Sequence, residues 1–178
     1  MSVRTKFHAE LKELKDMTLE LGRLAQEAVS QSIEALRAQN VDLALKVIED
    51  DTQLNLLEEE INEKAILLIA KQAPVASDLR RIIVSLKASS DLERIGDLAV
   101  NIAKSVIRIG DKPFVKPIEE IPRVAELANQ MVADVLKAYS DEDVTSARRV
   151  AEIDDEVDET YGKLIRELLE LMADKPDY

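Results

Sequence analysis

The 178-residue chain is 46% hydrophobic but only 3% aromatic, carries 4 Gly, 5 Pro and no Cys, and has a formal net charge of −12. That length suits one ordinary domain or two small ones, and an apolar fraction built mostly from Leu, Ile, Val and Ala points to an all-α fold. The composition excludes disulfides, thiolate metal sites and cysteine nucleophiles, and an acidic chain without a Lys/Arg-rich, aromatic-bearing window offers no nucleic-acid surface.

The N-terminal run Met1-Ser2-Val3-Arg4-Thr5-Lys6-Phe7-His8 is polar and lacks an apolar signal core. No stretch reaches about 18 uninterrupted apolar residues, so a cytoplasmic protein without membrane insertion is expected. Apolar spacing predicts a first helix over about 7–36, with Leu14, Met17, Leu21, Leu24 and Ala28 marking its stripe. Gln39-Asn40-Val41-Asp42 reads as a turn, and a second helix follows to about Lys71, stopping before Pro74. Ser77 or Asp78 is placed to cap a third helix that reaches about Ile109. Gly110-Asp111-Lys112-Pro113, followed by Pro117, is the least helical segment. This divides the chain into a first unit over 1–110, a linker over 111–118 and a second unit over 119–178. Pro122 is tolerable in the first turn of a fourth helix to about Tyr139. Ser140-Asp141-Glu142-Asp143 then turns into a fifth helix ending near Ala173.

The two units are related to each other. Sliding the chain on itself by 127 − 24 = 103 positions aligns 24–70 with 127–173 without a gap, matching Ala35 with Ala138, Ala44 with Ala147, Val47 with Val150 and Asp51 with Asp154, with the turns in register. The expected architecture is all-α: two tandem repeats of a three-helix bundle, the second lacking its last helix. Pro176 corresponds roughly to Pro74, just before a sixth helix would begin, which points to a C-terminal truncation. The apolar face of helices four and five is then left for a partner chain, the first unit or further residues to cover.

Acidic residues interrupt the apolar seams. In the second helix Val47, Leu54, Ile61, Ala65 and Leu68 form a seam on which Asp51 and Glu58 also fall, and Asp154 takes the equivalent place on the fifth helix. A buried carboxylate costs several kcal/mol unless paired, hydrogen-bonded or metal-bound; a register-fixing polar residue and a ligand both satisfy that requirement. In the third helix, the run Asp91-Leu92-Glu93-Arg94-Ile95-Gly96-Asp97 places Glu93 and Asp97 one turn apart on one side. The pair reads either as a solvated face or as ligands of a shared hard cation. Gly96 costs about 0.8–1 kcal/mol relative to Ala, which asks for close approach by a ligand or a neighbouring helix. The early stripe Val75, Leu79, Ile82, Leu86 would continue through Glu93 and Asp97, whereas the later stripe Leu92, Ile95, Ala99, Ile102, Val106 lies elsewhere. The pattern predicts that the core contact changes sides near Ser89-Ser90-Asp91.

Other chemistries fall away. A ferritin-like di-iron centre needs Glu-x-x-His on two helices, and the single histidine, His8, is in neither acidic run. There is no glycine-rich phosphate loop and no helix-hand calcium loop. What stays open is ligation by carboxylates alone of a divalent or trivalent ion, with Mg, Ca, Mn, Fe and Zn as candidates.

Two runs, Gln72-Ala73-Pro74-Val75-Ala76-Ser77-Asp78-Leu79-Arg80-Arg81-Ile82-Ile83 and Asp91-Leu92-Glu93-Arg94-Ile95-Gly96-Asp97-Leu98-Ala99-Val100-Asn101-Ile102-Ala103, resemble those of the PhoU family of phosphate-uptake regulators. The resemblance spans nearly the whole chain. It implies two related three-helix bundles and a regulatory adaptor rather than an enzyme; a homodimer is expected separately, with the exposed second unit as its surface. The partners implied by the resemblance are the ATPase subunit of a high-affinity phosphate importer and a phosphate-sensing histidine kinase. It also implies metal clusters held by acid-x-x-x-Asp motifs, which map onto Glu93 and Asp97. The further candidate ligands are Asp51, Asp91, Asp154 and Asp158, with Asn55 beside Asp51. The departure is at the C-terminus, where the family's second acidic run would lie on a sixth helix.

Overall fold

The computed structural model describes residues 3–114 and 118–174. Pro117 of the predicted linker and Pro176 lie outside them. Within them are five helices in the order α1 (Val3–Ala38), α2 (Val41–Gln72), α3 (Ala76–Ile109), α4 (Glu120–Asp141) and α5 (Val144–Asp174).

The boundaries follow local chemistry. Asn40 caps α2, its Oδ1 accepting from the Leu43 N–H at 3.0 Å, which satisfies one of the orphan donors of a helix start. One repeat later, Asp143 does the same for α5, accepting from the N–H groups of Thr145 (2.9 Å) and Ser146 (3.1 Å). The residues before these caps, Gln39 and Glu142, both take the left-handed conformation, with φ of 50° and 54°. At the other corner Ala73 closes α2 with φ 43°, and Pro74 prevents continuation. Neither Ser77 nor Asp78 caps α3. The helix begins earlier, with Val75 at the cap position and no side-chain bond there, and the Asp78 carboxylate instead accepts from Arg81 at 3.1 Å.

α1, α2 and α3 pack against one another, α4 packs on α1, and among the described residues α5 packs on α4 alone. One core cluster joins Leu14 and Leu21 of α1, Leu54, Ile61 and Leu68 of α2, and Ile82 and Leu92 of α3, with Val132 and Leu136 of α4 against it. A second cluster, Ala35, Ala44, Val47, Ala99, Ala103 and Val106, closes the far end of the first three helices. Burying a Leu or Ile side chain contributes about 1.5–3 kcal/mol, so these clusters fix the bundle.

The predicted change of side in α3 does not occur. Its buried residues Ile82, Ser85, Ser89, Leu92, Gly96, Ala99, Ala103 and Val106 form an unbroken alternation of three- and four-residue steps, with Val100 buried beside that seam. The seam is continuous because small residues carry it through the middle of the helix, where an apolar pattern alone loses the trace. α1 does likewise with Thr18 and Ser32. The buried hydroxyls are satisfied within their own helices: Thr18 donates to the Leu14 carbonyl at 2.9 Å and Ser89 to that of Leu86 at 2.9 Å.

α1 and α4 cross in antiparallel fashion. Gln26 and Asn129, equivalent under the 103-residue offset, bond each other reciprocally: Gln26 Nε2 donates to the Asn129 carbonyl (2.9 Å) and Asn129 Nδ2 to the Gln26 carbonyl (3.2 Å). Equivalent residues meeting across a contact define a local two-fold axis. Close approach there depends on Gly22, where a Cβ would collide with the end of the Leu136 side chain.

Candidate functional site

The α2 seam is buried at Val47, Leu54 and Ile61, and the two carboxylates between them, Asp51 and Glu58, are half-buried. They lie opposite the part of α3 that carries Gly96. A Cβ on Gly96 would stand 2.6 Å from Leu54 Cδ2 and 3.5 Å from Asp51 Oδ1. The glycine is therefore explained by helix approach: it admits Leu54 and brings the α2 carboxylate to the backbone between Glu93 and Asp97.

These four acids share one electrostatic environment. Burial pushes the Glu93 carboxyl above its ordinary value, and the negative charges of Asp97, Glu58 and Asp51 push it further. Asp51 is raised chiefly by burial and also by Asp97; a hydrogen bond from Asn55 Nδ2 (3.2 Å) and the Lys104 ammonium oppose the rise. Glu58 accepts from Asn62 Nδ2 at 2.5 Å. Sequence reasoning missed Lys104 and Asn62 as members of this patch. Lys104 was traceable, since it lies seven residues, two turns, beyond Asp97.

The structure thus brings together Asp51, Glu93 and Asp97, with Glu58, and leaves the other candidates apart. Asp91 is exposed and is not among the charges acting on Glu93 or Asp51. Asp154 and Asp158 are exposed on α5, which packs on α4 alone among the described residues. Asp51 is half-buried because α3 lies over it, and Asp154, its equivalent by sequence, has no such neighbour among the described residues. Among the described residues no three acidic or histidine side chains converge tightly enough to chelate an ion as they stand. As a donor set, however, Asp51, Glu58, Glu93 and Asp97 are all-oxygen and mutually repelling, with Asp97 exposed and free to turn. That is the chemistry a hard cation relieves.

A second feature is a groove of about 810 Å³ bounded by α1, the start of α3 and the α4–α5 corner. Apolar walls such as Leu11, Val84, Val135 and Val144 are joined by Lys15, Arg80 and Arg81. Ser85 and Tyr139 hydroxyls bond across it at 2.7 Å, and Arg81 holds Glu142 through two N–H donors at 2.9 and 3.1 Å.

Together these features define an all-helical scaffold, a bundle with a second helix pair docked by local two-fold symmetry and a carboxylate patch between its second and third helices. The chain belongs to the PhoU family: the PhoU domain model matches residues 18–106 and 121–178. The starts of those segments differ by 121 − 18 = 103 positions, the offset of the internal alignment. A "Phosphate-specific transport system accessory protein PhoU homolog" of Aquifex aeolicus is 40% identical over 96% of this chain and 77% of its own length. The Escherichia coli accessory protein PhoU is 33% identical over 94% of this chain and 70% of its own length. Crystal structures agree. PhoU from Pseudomonas aeruginosa superposes with a TM-score of 0.91 at 34% identity, covering 96% of this chain and 82% of that one. The phosphate transport system regulatory protein PhoU from Streptococcus pneumoniae gives 0.88 at 32% identity, over 95% and 80%.

Proposed function

We propose that this chain regulates phosphate uptake and phosphate signalling as a metal-binding helical adaptor, acting in the cytoplasm without catalysing a reaction. The observation that carries the reading is family membership over nearly the whole chain, with relatives named as accessory proteins of phosphate-specific transport. Its targets are the ATPase subunit of the high-affinity importer and the phosphate-sensing histidine kinase, both of which it restrains, and it works as a homodimer. No helix among the described residues is long and apolar enough to cross a membrane.

In this reading Asp51, Glu93 and Asp97, with Glu58, hold a hard cation. The ion supplies positive charge that offsets carboxylate repulsion and ties α2 to α3. Gly96 keeps the two helices close enough for side chains of both to reach it, and Lys104 partly substitutes when the ion is absent. The test pairs metal analysis of purified protein with pull-downs against the importer ATPase and the kinase, for the native chain and for Glu93→Ala and Asp97→Ala. Binding of neither partner by the native chain sinks the regulatory reading. Loss of metal with partner binding intact favours the second reading, a metal-binding or structural helical protein without a signalling role, which the mutual repulsion within the patch also accommodates.

A further inference from the structure

The back of α2 carries leucines where a solvated helix face is ordinarily polar. Leu45, Leu56 and Leu67 follow one another at eleven-residue intervals, close to three full turns and about 16.5 Å of helix, and they are 46%, 55% and 50% exposed. At about 100° per residue they share one arc with Glu49, Thr52, Glu60 and Glu63, all of them exposed. The core seam of Val47, Leu54, Ile61 and Leu68 runs along the opposite side, so the stripe faces away from the bundle.

The internal repeat separates this stripe from what the helix pair needs in order to pack. Under the 103-residue offset the core residues Ala44 and Val47 return as Ala147 and Val150, but Leu45, Leu56 and Leu67 return as Arg148, Glu159 and Glu170, the residues of a solvated face. There Glu159 pairs with Lys163 at 2.7 Å, one turn on, whereas the matching positions of α2 hold Leu56 and Glu60. Acids of α1 are likewise neutralised within their own helix, Asp16 by Lys12, Glu20 and Glu27 by Arg23, and Glu34 by Arg37. Glu49, Glu60 and Glu63 have no ion pair among the described residues, and the nearby Lys64 turns to Glu13 of α1 at 2.6 Å. Apolar contacts and cationic partners are thus both unfilled along one line.

We propose that the back of α2 docks a basic amphipathic helix of a partner protein, whose apolar residues pack among Leu45, Leu56 and Leu67 and whose arginines or lysines meet Glu49, Glu60 and Glu63. Charge decides the occupant. A second copy brings glutamate onto glutamate in either orientation: pairing Leu56 with itself sets Glu49 against Glu63 when antiparallel and each glutamate against its own copy when parallel, with like charges opposed. An anionic lipid surface meets the same repulsion. A basic helix satisfies the leucines and the carboxylates together.

The probe is a synthetic helix of about 24 residues, with leucines at the same spacing, arginines between them on the same face and alanines elsewhere, fluorescently labelled at its N-terminus. Anisotropy titration against the intact 178-residue protein should give one-to-one binding that weakens as salt rises, and a peptide with glutamate for every arginine should not bind. Leu56→Ala should weaken binding about fivefold to tenfold, since a half-exposed leucine has about half of its side chain left to bury. Glu60→Gln combined with Glu63→Gln should weaken it about threefold, while Glu156→Gln on the exposed face of α5 leaves it unchanged. Because these side chains point away from the core, every variant keeps the native urea midpoint, which separates lost docking from lost folding. The chain contains no cysteine, so position is tested apart from affinity. Peptide with cysteine for its central leucine should crosslink to Leu56→Cys protein and not to Leu98→Cys, at an equally exposed leucine of α3. Absence of binding, binding indifferent to Leu56 and the two glutamates, equal binding of the acidic peptide, or equal crosslinking at Leu98 overturns the proposal. So does sedimentation showing a dimer that Leu56→Arg dissociates, which gives the face to a second copy.

Discussion

Gly96→Ala and Gly162→Ala make the same chemical change inside two long helices, and the structure assigns them opposite signs. Each gains helix propensity of about 0.8–1 kcal/mol. At Gly162 the new methyl meets only Arg166 Nη1, at 3.7 Å, so the gain survives and the variant is stabilised by about that amount. At Gly96 the methyl stands 2.6 Å from Leu54 Cδ2, and Leu54 is buried against the core, leaving its terminal methyl little room to turn. Overpacking of this kind costs about 1–3 kcal/mol, which exceeds the propensity term and leaves a net loss of about 1 kcal/mol. For a chain of this length that corresponds to a fall in Tm of about 2–4 °C. Urea titration followed by helical circular dichroism reads both variants on one scale, and Leu54→Ala in the Gly96→Ala background should remove the conflict, so that the two losses are less than additive. If Gly96→Ala stabilises as Gly162→Ala does, the close approach of α2 to α3 is wrong, and with it the placement of Asp51 beside Glu93 and Asp97.

The carboxylate patch predicts a pH dependence. Glu93 has a folded pKa raised above its ordinary 4.5, so its contribution is fully present below that value and is lost as pH rises through the folded pKa. Glu93→Gln should therefore raise the urea midpoint at pH 7 and leave it nearly unchanged at pH 4, and a midpoint that rises equally at both would refute the mutual repulsion. The two caps should separate by pH as well: Asn40→Ala loses about 1 kcal/mol at any pH. Asp143, whose pKa is lowered by its bonds from Ser146 and Thr145, stabilises above the ordinary 3.8 and ceases to as pH falls through its folded value, so Asp143→Ala should destabilise at pH 7 and converge with the native protein in acid. Gln39→Ala removes two bonds to the Gly110 and Lys112 carbonyls and should cost about 1–2 kcal/mol, seen as faster amide exchange in the last turn of α3; unchanged exchange there would contradict its capping role.

What could be read from the chain alone was local in origin. Helix periodicity, the stop at Pro74, the Asn40 turn and the 103-residue offset are written in near-neighbour chemistry, and all five helices lie close to where spacing places them. The acidic pair Glu93 and Asp97 was equally legible, because one turn of helix fixes which residues share a side. The course of the α3 seam was not. Ser85, Ser89 and Gly96 are buried because neighbouring helices come close, and a small residue carries no hydropathy signal announcing that approach. The same holds for which acids belong together. Asp51 and Asp154 are equivalent by sequence, yet α3 lies over one and not the other, so only the first is half-buried, and that burial is what raises the Asp51 pKa. Local propensity therefore determined the elements and their repetition, while burial, charge coupling and the pairing of Arg81 with Glu142 across 61 residues were decided by the packing of helices distant in sequence, since desolvation and Coulomb terms depend on separation in space and not along the chain.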